Sequence, residues 1–318
     1  MQDAERPLAL IGAEVGEGAS DPGCKWGARA LRRHGLAEAL DRADRHASWS
    51  AMVRARPARS GTGTGTGTDE TRLEVVSRFS AALAQAVTRA LRQGARPVVV
   101  GGDHSCAVGT WSAVAQAWRA AGPLGLIWVD AHLDAHTPDT SLSQAPHGMP
   151  VAALLGHGPH ALAGLYGWRG KLAPSHLVII GARSYEAGER ALLERLGVRV
   201  MYMDEVARRG FGACMEEALA RVRRGTAAWG LSFDLDALDP RDAPGTGTPV
   251  QAGIALAEAL PALRAAARLP GCAALEIVEY NPAHDVDGRT ARAAVALAGA
   301  MAGAAPAQHA GLRERLVA

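Results

Sequence analysis

The sequence predicts an α/β protein built on a doubly wound, mostly parallel sheet with helices on both faces. Apolar runs typical of buried strands alternate with longer stretches of helical periodicity along nearly the whole chain. Hydrophobic residues make up 48% of the 318 positions, which is enough to bury a large core. No internal repeat or strong break divides the sequence, so we predict a single domain over residues 1–318.

The predicted strands are short apolar runs rich in Val, Ile and Leu. They are Leu8–Gly12, Pro97–Val100, Leu124–Val129, His176–Ile180, Val198–Met201, Ala227–Phe233 and Cys272–Val278. The predicted helices lie between them, at Trp26–Leu40, Thr71–Gln93, Ala107–Ala121, Ala187–Leu196, Gly212–Arg224, Ala255–Arg268 and Gly288–Met301. Regular alternation of strand and helix predicts parallel strands joined by crossover helices.

Two segments stand apart from this alternation. Residues 61–68 repeat Gly-Thr, with neither a following lysine nor a strand leading in, so we predict a flexible surface insertion rather than a phosphate-binding loop. For the tail, residues 305–318, we consider a short helix that serves subunit contacts.

Composition narrows the class of protein. Lys and Arg total 34 against 32 for Asp and Glu, a formal charge of +2 that argues against a dedicated nucleic-acid surface. The four cysteines, at positions 24, 106, 214 and 272, show no paired spacing and indicate a reduced, cytoplasmic protein. Residues 1–7 lack the apolar stretch of a signal peptide, and no apolar run reaches the length of about 18 residues that a membrane span requires.

The most informative motif follows the predicted strand Leu124–Val129. Asp130, His132 and Asp134 occupy alternate positions there, so they converge on one point if the chain stays extended. Two carboxylates and an imidazole without a neighbouring lysine or arginine are costly to bury unless a cation balances them. The motif therefore indicates a divalent metal.

Two further strand ends carry the same chemistry. Residues 229–236 form an apolar run that ends in Asp234 and Asp236, with Asp239 close behind, and residues 98–105 end in Gly-Gly-Asp-His-Ser with His104. Ligands bind at the carboxyl ends of strands in open parallel sheets. Asp oxygens with His nitrogens, and no cysteine, suit Mn²⁺ or a similar first-row ion. The carboxylates exceed what one ion needs, which favours two.

Each motif alone is also compatible with an ordinary solvated turn or helix cap. Because all three follow strong strand patterns in the same way, we favour a common site over three unrelated turns.

In this order and spacing, the motifs resemble the ureohydrolases, the arginase and agmatinase family, and most closely its arginases. The matching segments are residues 23–35, 101–105, 130–134, 147–150, 232–240, 247–249 and 279–282. The resemblance implies a binuclear manganese site with two Mn²⁺ per subunit. One ion would take His104, Asp130, Asp134 and Asp234, and the other Asp130, His132, Asp234 and Asp236.

The resemblance also implies hydrolysis of a guanidinium group, first of all that of L-arginine to L-ornithine and urea. Asp134 and His147 would be catalytic, with His147 passing a proton to the departing amine. Glu279 would accept hydrogen bonds from the guanidinium, and Thr248 would line its pocket. A small-molecule substrate and a homo-oligomer, trimer or hexamer, are expected on the same ground.

The substrate's far end departs from the family pattern. Arginases read the head group with Asn, Ser and Asn between the positions of Asp134 and His147, where this chain has His136, Ser143 and Ala145. The aspartate that touches the α-amino group appears as Glu186. Agmatine, guanidinobutyrate and formiminoglutamate therefore remain alternative substrates.

Two other classes of protein compete with this interpretation. A non-catalytic binding protein on the same fold would be expected to lack a ligand or the shuttle, yet all are present. A zinc deacylase of related fold would use one metal and a His-His pair, which is absent here.

Overall fold

Eight parallel strands form one sheet in the structure, a computed structural model that describes residues 6–41, 46–56 and 71–303. The strands are β1 Leu8–Glu14, β2 Ala47–Arg54, β3 Arg96–Val100, β4 Leu124–Val129, β5 Leu177–Ala182, β6 Arg199–Tyr202, β7 Ala228–Asp234 and β8 Cys272–Val278. Their order is β2-β1-β3-β8-β7-β4-β5-β6, and every neighbouring pair is parallel. The predicted fold class is confirmed.

Eleven α-helices accompany the sheet within the described ranges. They are α1 Gly27–Arg33, α2 Leu36–Asp41, α3 Arg72–Arg92, α4 Ala107–Trp118, α5 Pro150–Leu154, α6 His160–Ala163, α7 Ala187–Leu196, α8 Met203–Arg209, α9 Phe211–Val222, α10 Leu256–Ala267 and α11 Arg289–Ala302. None of these described helices is both long and apolar enough to cross a bilayer.

Neighbouring residues of a strand point to opposite faces of the sheet, so two apolar layers form. On one face, Leu10 and Ile127 pack with buried residues of α1, α2, α9, α10 and α11. On the other, Ile11 and Trp128 pack with buried residues of α3, α4 and α5. Burial of β4, β7 and β8 on both faces explains why their sequences are almost continuously apolar.

Local sequence signals account for several helix boundaries. Thr71 and Glu74 form a capping box that starts α3, satisfying backbone N–H groups that the first turn cannot pair internally. Gly197 ends α7 with a φ of 71°, a left-handed conformation that glycine adopts at little cost. Both helices lie where the sequence predicts them.

The structure corrects several of the predicted elements. The predicted helix Trp26–Leu40 is two helices, α1 and α2, separated at Gly35 with a φ of 73°. Strand β2 was not predicted, because it lies at the sheet edge and its residues are only partly buried, which weakens the apolar pattern. Helices α5, α6 and α8 were not predicted either.

The Gly-Thr repeat at 61–68 and the tail at 305–318 lie outside the described residues. The prediction of a single domain over residues 1–318 stays a prediction.

Candidate metal centre and substrate pocket

Four adjacent strands in the middle of the sheet, in the order β3-β8-β7-β4, bring the predicted site residues together. His104 follows β3, Glu279 follows β8, Asp234 ends β7, and Asp130 follows β4. Because the strands are parallel, all four side chains lie at the same edge of the sheet.

His104 lies at the centre of the first group of ligands. Its Nδ1 is 3.1 Å from Oδ2 of Asp130, 3.1 Å from Oδ2 of Asp134 and 3.0 Å from Oδ2 of Asp234. The imidazole is buried, and its Nδ1 makes no hydrogen bond of acceptable geometry within the described structure. Three carboxylates therefore converge on a ring nitrogen that has no hydrogen-bond partner.

His132 belongs to a second group that shares Asp130 with the first. Its Nδ1 is 3.5 Å from Oδ1 of Asp130 and 3.1 Å from Oδ2 of Asp236. Each group offers three or more ligand atoms within the span of one ion. The two oxygens of Asp130 face different groups, which is the arrangement of a bridging carboxylate.

The alternate spacing of Asp130, His132 and Asp134 led us to expect an extended chain, but the chain after β4 is not extended. The backbone bends after Asp130, whose Oδ1 accepts a 2.7 Å hydrogen bond from the N–H of His132, and Asp134 adopts a φ of 49°. The ligands converge through this turn rather than through strand periodicity. A left-handed φ at a non-glycine residue is strained, and such strain clusters at functional sites.

The chain after β3 turns just as sharply. Gly101 and Gly102 have φ values of 77° and 82°, and a Cβ at Gly101 would collide with the backbone of Ala28. Only glycine fits there, so the pair directs His104 into the cluster.

Hydrogen bonds and stacking behind the ligands hold them in place. The ring of Trp128 stacks on that of His104 with centroids 4.0 Å apart, and its Nε1 donates to Oδ2 of Asp130 at 2.8 Å. Nε2 of His104 lies 3.0 Å from Oγ of Ser232, which donates a 2.6 Å bond to Glu276.

Since Ser232 gives its one hydrogen to Glu276, it accepts a hydrogen from Nε2 of His104. The neutral ring then carries its lone pair on Nδ1, the nitrogen that faces the carboxylates. This tautomer is the one a metal ligand requires.

The cluster is electrostatically incomplete without a cation. Burial, with the nearby charge of Asp130, raises the pKa of Asp134 to about 6. Burial and the charges of Asp236 and Asp130 raise the pKa of Asp234 well above its usual value. The unpartnered Nδ1 of His104, surrounded by oxygen donors, fits a divalent first-row ion better than a proton.

Glu279 lies against the cluster and is fully buried. Its Oε1 accepts hydrogen bonds from the backbone N–H of His104 at 2.8 Å and from Nδ1 of His147 at 3.3 Å, and its Oε2 accepts one from the thiol of Cys24 at 3.1 Å. Its φ of 63° is left-handed. Burial opposes ionisation, but the contact with His147 prevails and lowers the pKa of Glu279.

His147 carries the complementary shift. Burial favours its neutral form, yet the hydrogen bond and charge of Glu279 outweigh burial and raise its pKa to about 9. The imidazole is 22% exposed, so it retains contact with the pocket while holding a proton. A protonated imidazole in this position can act as a general acid.

A pocket of about 220 Å³ opens above the two ligand groups. It is lined by His132, Asp134, His136, Ser143, Ala145, His147, Gly148, Ser184, Glu186, Glu189, Asp234, Asp236, Thr248 and Glu279. The predicted substrate contacts His136, Ser143, Glu186, Thr248 and Glu279 all line it. Thr248 also donates a 3.1 Å hydrogen bond to Oδ2 of Asp236, which ties its loop to the second ligand group.

The outer end of the pocket holds a third cluster. Nε2 of His136 lies 2.7 Å from Oε2 of Glu186 and 3.3 Å from Oε2 of Glu189. Burial and a hydrogen bond with Glu186 raise the pKa of Glu189 to about 8, whereas the same contact with Glu189, and then the contact with His136, lowers the pKa of Glu186. The pair shares a proton beside the imidazole.

Arg183 is a site residue that the sequence did not reveal. It donates hydrogen bonds to the backbone carbonyls of Asp236 and Val250 at 2.8 Å each, and of Gln251 at 3.0 Å. These bonds join the two ends of the loop that carries Thr248. Cys24, Ser232 and Glu276 were missed as well. Their contacts join residues that are far apart in sequence, so no local sequence pattern predicts that these residues belong to the site.

An all-parallel sheet whose central strand ends gather imidazoles and carboxylates around one pocket defines a metal-binding α/β hydrolase site. The Arginase family model matches residues 6–303. The arginase of Bacillus caldovelox is 38% identical over 299 residues, which cover 94% of this chain and 98% of that protein.

The solved structures agree with the sequence comparison. The Bacillus caldovelox arginase structure superposes with a TM-score of 0.85 at 36% identity, covering 95% of this chain and 99% of that one. The Bacillus subtilis arginase structure gives a TM-score of 0.86 at 34% identity, covering 95% and 100%. The chain belongs to the arginase family, a family of metal-dependent hydrolases of small guanidino substrates, and the predicted family is confirmed.

Proposed function

We propose that the protein hydrolyses L-arginine to L-ornithine and urea. The carrying observation is that four of the six His and Asp ligands line one small pocket together with an ionised Glu279 and a protonated His147. The other two ligands, His104 and Asp130, lie directly against them. A guanidinium requires an acidic partner for binding, an activated water for attack and an acid for the departing amine. Each requirement is matched by a group in this pocket, and the arginases to which the chain is similar support the choice of arginine.

We propose two Mn²⁺ ions as the cofactors. His104, Asp130, Asp134 and Asp234 would hold one, and Asp130, His132, Asp234 and Asp236 the other. When bound, such a pair of ions supplies a water of lowered pKa for attack on the guanidinium carbon. The oxygen and imidazole donors support Mn²⁺, and the sharing of Asp130 between the two groups supports a pair.

Glu279 binds and orients the guanidinium. The contact with His147 holds its carboxylate ionised, and hydrogen bonds from the Cys24 thiol and the His104 backbone help to fix its direction. A carboxylate buried in a pocket attracts a cation strongly, because little water competes for it.

His147 acts as the general acid. Its Nδ1 faces Glu279, which leaves Nε2 for proton exchange. Water passes a proton to Asp134 as it adds to the guanidinium carbon. The bond from that carbon to the alkyl nitrogen then breaks, and His147 protonates the departing amine. Urea and the alkyl amine are the products, and solvent restores the proton through the exposed part of the ring.

The head group of the substrate is read at the outer end of the pocket. Glu186 is 65% exposed and accepts a hydrogen bond from the α-ammonium, while the hydroxyl of Ser143 and a ring N–H of His136 donate to the α-carboxylate. His136 thereby takes the role of the Asn side-chain amide that arginases have at this position.

One observation favours a second substrate class. His136 is already paired with Glu186 and Glu189, and no Lys or Arg is among the described residues that line the pocket. A substrate such as agmatine, which ends in an amine and lacks the carboxylate, would match this acidic end.

Urea release distinguishes the two. The Mn²⁺-loaded protein is assayed with L-arginine, agmatine, 4-guanidinobutyrate and 3-guanidinopropionate, and formamide release from formiminoglutamate is scored in parallel. Highest kcat/KM for L-arginine supports the proposal. A preference for agmatine replaces the substrate and retains the chemistry, and no turnover of any compound rejects both. Metal analysis should give about two Mn²⁺ per chain, whereas one tightly held Zn²⁺ contradicts a binuclear site.

We further propose that the protein forms a single domain, acts in the reduced cytoplasm and assembles as a homo-oligomer, a trimer or hexamer. All four cysteines are free and buried, which supports a reducing compartment. Light scattering after size exclusion measures the assembly, and a monomeric mass at working concentration contradicts it.

A further inference from the structure

A second concavity lies where the edge strand β2, two places from β3 in the sheet, meets α1 and α3. Its volume is about 1130 Å³. It is lined by Glu14, Arg29, Arg32, Arg33, Ala51, Met52, Val53, Arg54, Arg56, Ala82, Gln85 and Arg89, which we call the arginine cleft. The arginine cleft and the substrate pocket share no lining residue.

The arginine cleft carries a large excess of positive charge. Its six arginines face a single acid, Glu14, which is already engaged by Arg29 at 2.6 Å and by Arg54 at 2.8 Å. Within the described ranges, the other four arginines of the cleft have no acidic partner, and all four are exposed: Arg32, Arg33, Arg56 and Arg89.

The high arginine content of the whole chain does not explain this concentration of arginines. Arginine accounts for 32 of the 318 residues, since the chain has 34 lysines and arginines and only Lys25 and Lys171 are lysines. In the arginine cleft it accounts for six of the twelve lining residues. Like charges gathered in a concave surface repel one another and focus a positive potential there.

Several of the guanidinium groups are held in position before any ligand arrives. Arg29 is fixed on Glu14 and lies 5.2 Å from the ring centre of Trp26, and Arg32 lies 5.8 Å from that of Trp49. Groups held in advance lose less entropy when they bind. Between them, Ala51, Met52 and Val53 provide a half-buried, mainly apolar floor.

We propose that the arginine cleft binds a small polyanion that carries a chain of phosphates. Planar guanidinium groups pair with phosphate oxygens two at a time, and unpartnered arginines from α1, β2's end and α3 surround one space from several sides. A phosphate chain presents several charges within the reach of all of them. The formal net charge of only +2 over the whole chain favours a small molecule over nucleic acid.

The test is calorimetric titration of the Mn²⁺-loaded protein with tripolyphosphate at about 0.15 M salt, where weak surface attraction is largely screened. The double variant Arg33→Gln, Arg89→Gln removes two unpartnered guanidinium groups. Arg195→Gln, at an exposed arginine of α7, is the matched control. We expect saturable 1:1 binding that is at least about tenfold weaker in the double variant and unchanged in the control.

Tripolyphosphate also chelates Mn²⁺, so a second readout is independent of the metal. Phenylglyoxal modifies accessible arginines, and mass spectrometry locates the modified residues. Tripolyphosphate should protect Arg33 and Arg89 from modification and leave Arg195 unprotected. Absence of saturable binding, equal weakening in the control variant, or equal protection of Arg195 would overturn the proposal.

Titration with ATP separates two sources of the phosphate chain. Tighter binding of ATP than of tripolyphosphate, lost in Met52→Asp, assigns the apolar floor to a nucleoside. Equal or weaker binding of ATP assigns the arginine cleft to an inorganic polyphosphate. Both outcomes presuppose binding at the arginine cleft, and neither depends on the arginase activity.

Discussion

The hydroxyl of Ser232 donates a 2.6 Å hydrogen bond to the buried carboxylate of Glu276, and this bond decides which nitrogen of His104 faces the cluster of carboxylates. Trp111 donates a second bond of 2.8 Å to the same oxygen of Glu276. A carboxylate two bonds removed from the cluster thus sets the tautomer of a ligand.

Replacing Glu276 by glutamine should weaken metal binding without removing a ligand. The amide has nearly the same shape, but it is uncharged and can present an N–H to Ser232, which would release the hold on His104. We expect metal affinity to fall about ten- to a hundredfold, measured by competition with a chelator of known affinity. Glu258→Gln, at an exposed position of α10, is the control. Wild-type metal affinity in a folded Glu276→Gln protein would refute the claim that Glu276 sets the tautomer of His104 through Ser232.

Replacing Asp130 or Asp234 by asparagine should remove bound metal together with activity. Each carboxylate faces His104 at 3.0 to 3.1 Å, and Asp130 also faces the second ligand group. We expect elemental analysis to find about one metal or fewer per chain, with turnover reduced at least about a thousandfold. Asp204→Asn on exposed α8 should leave both unchanged. Full turnover in either site variant would refute the ligand assignment.

Replacing His147 by asparagine should alter how stability depends on pH. The pKa of His147 is about 9 in the folded protein against 6.5 for an ordinary histidine, so the folded state binds the proton more tightly. Its stabilisation is complete below about pH 6.5 and is lost as the pH rises through about 9. The wild-type advantage in unfolding free energy, on the order of 1–3 kcal/mol at pH 6, should vanish by about pH 10.

Denaturant titrations of the metal-free protein at several pH values provide this measurement. In the metal-loaded enzyme, the same variant should retain its metal and lose turnover by about a hundredfold or more, as expected for loss of a general acid. A pH-independent difference in stability would rule out the ion pair with Glu279. An unchanged turnover number in the His147→Asn variant would rule out His147 as the general acid.

Replacing Arg183 by methionine should loosen the loop that carries Thr248. The substitution leaves the carbonyls of Asp236, Val250 and Gln251 without their donor. We expect a loss of unfolding free energy on the order of 3 kcal/mol and a larger rise in KM than fall in kcat, because the loop positions the substrate pocket. Arg195→Gln serves as the control here too. Wild-type KM and stability in the Arg183→Met variant would show that the loop carrying Thr248 keeps its conformation without Arg183.

The strand-end motifs were enough to predict the centre of this molecule. The carboxyl ends of β3, β4 and β7 supplied His104, Asp130 and Asp234 because buried parallel strands have recognisable apolar sequences and end where polar residues begin. Once the strands were assigned, parallel pairing required their ends to meet.

The remainder depends on contacts that no local pattern encodes. Strand β2 lies at the edge and is only half buried, so its sequence resembles a loop. Asp134 reaches His104 through a bend that alternate spacing does not predict. Glu276 and Arg183 act on atoms contributed by other strands and loops, and they become site residues only when the crossovers are complete.

Strand β8, the last strand along the described chain, lies in the interior of the sheet between β3 and β7. Without β8, the strands β2-β1-β3 and β7-β4-β5-β6 would share no backbone pairing, so the sheet would not fix His104 relative to Asp130. During synthesis, the ion-binding residues are therefore all made before the strand that unites them. A chain that ended before Cys272 would contain all six candidate metal ligands and would still lack the strand that brings them together.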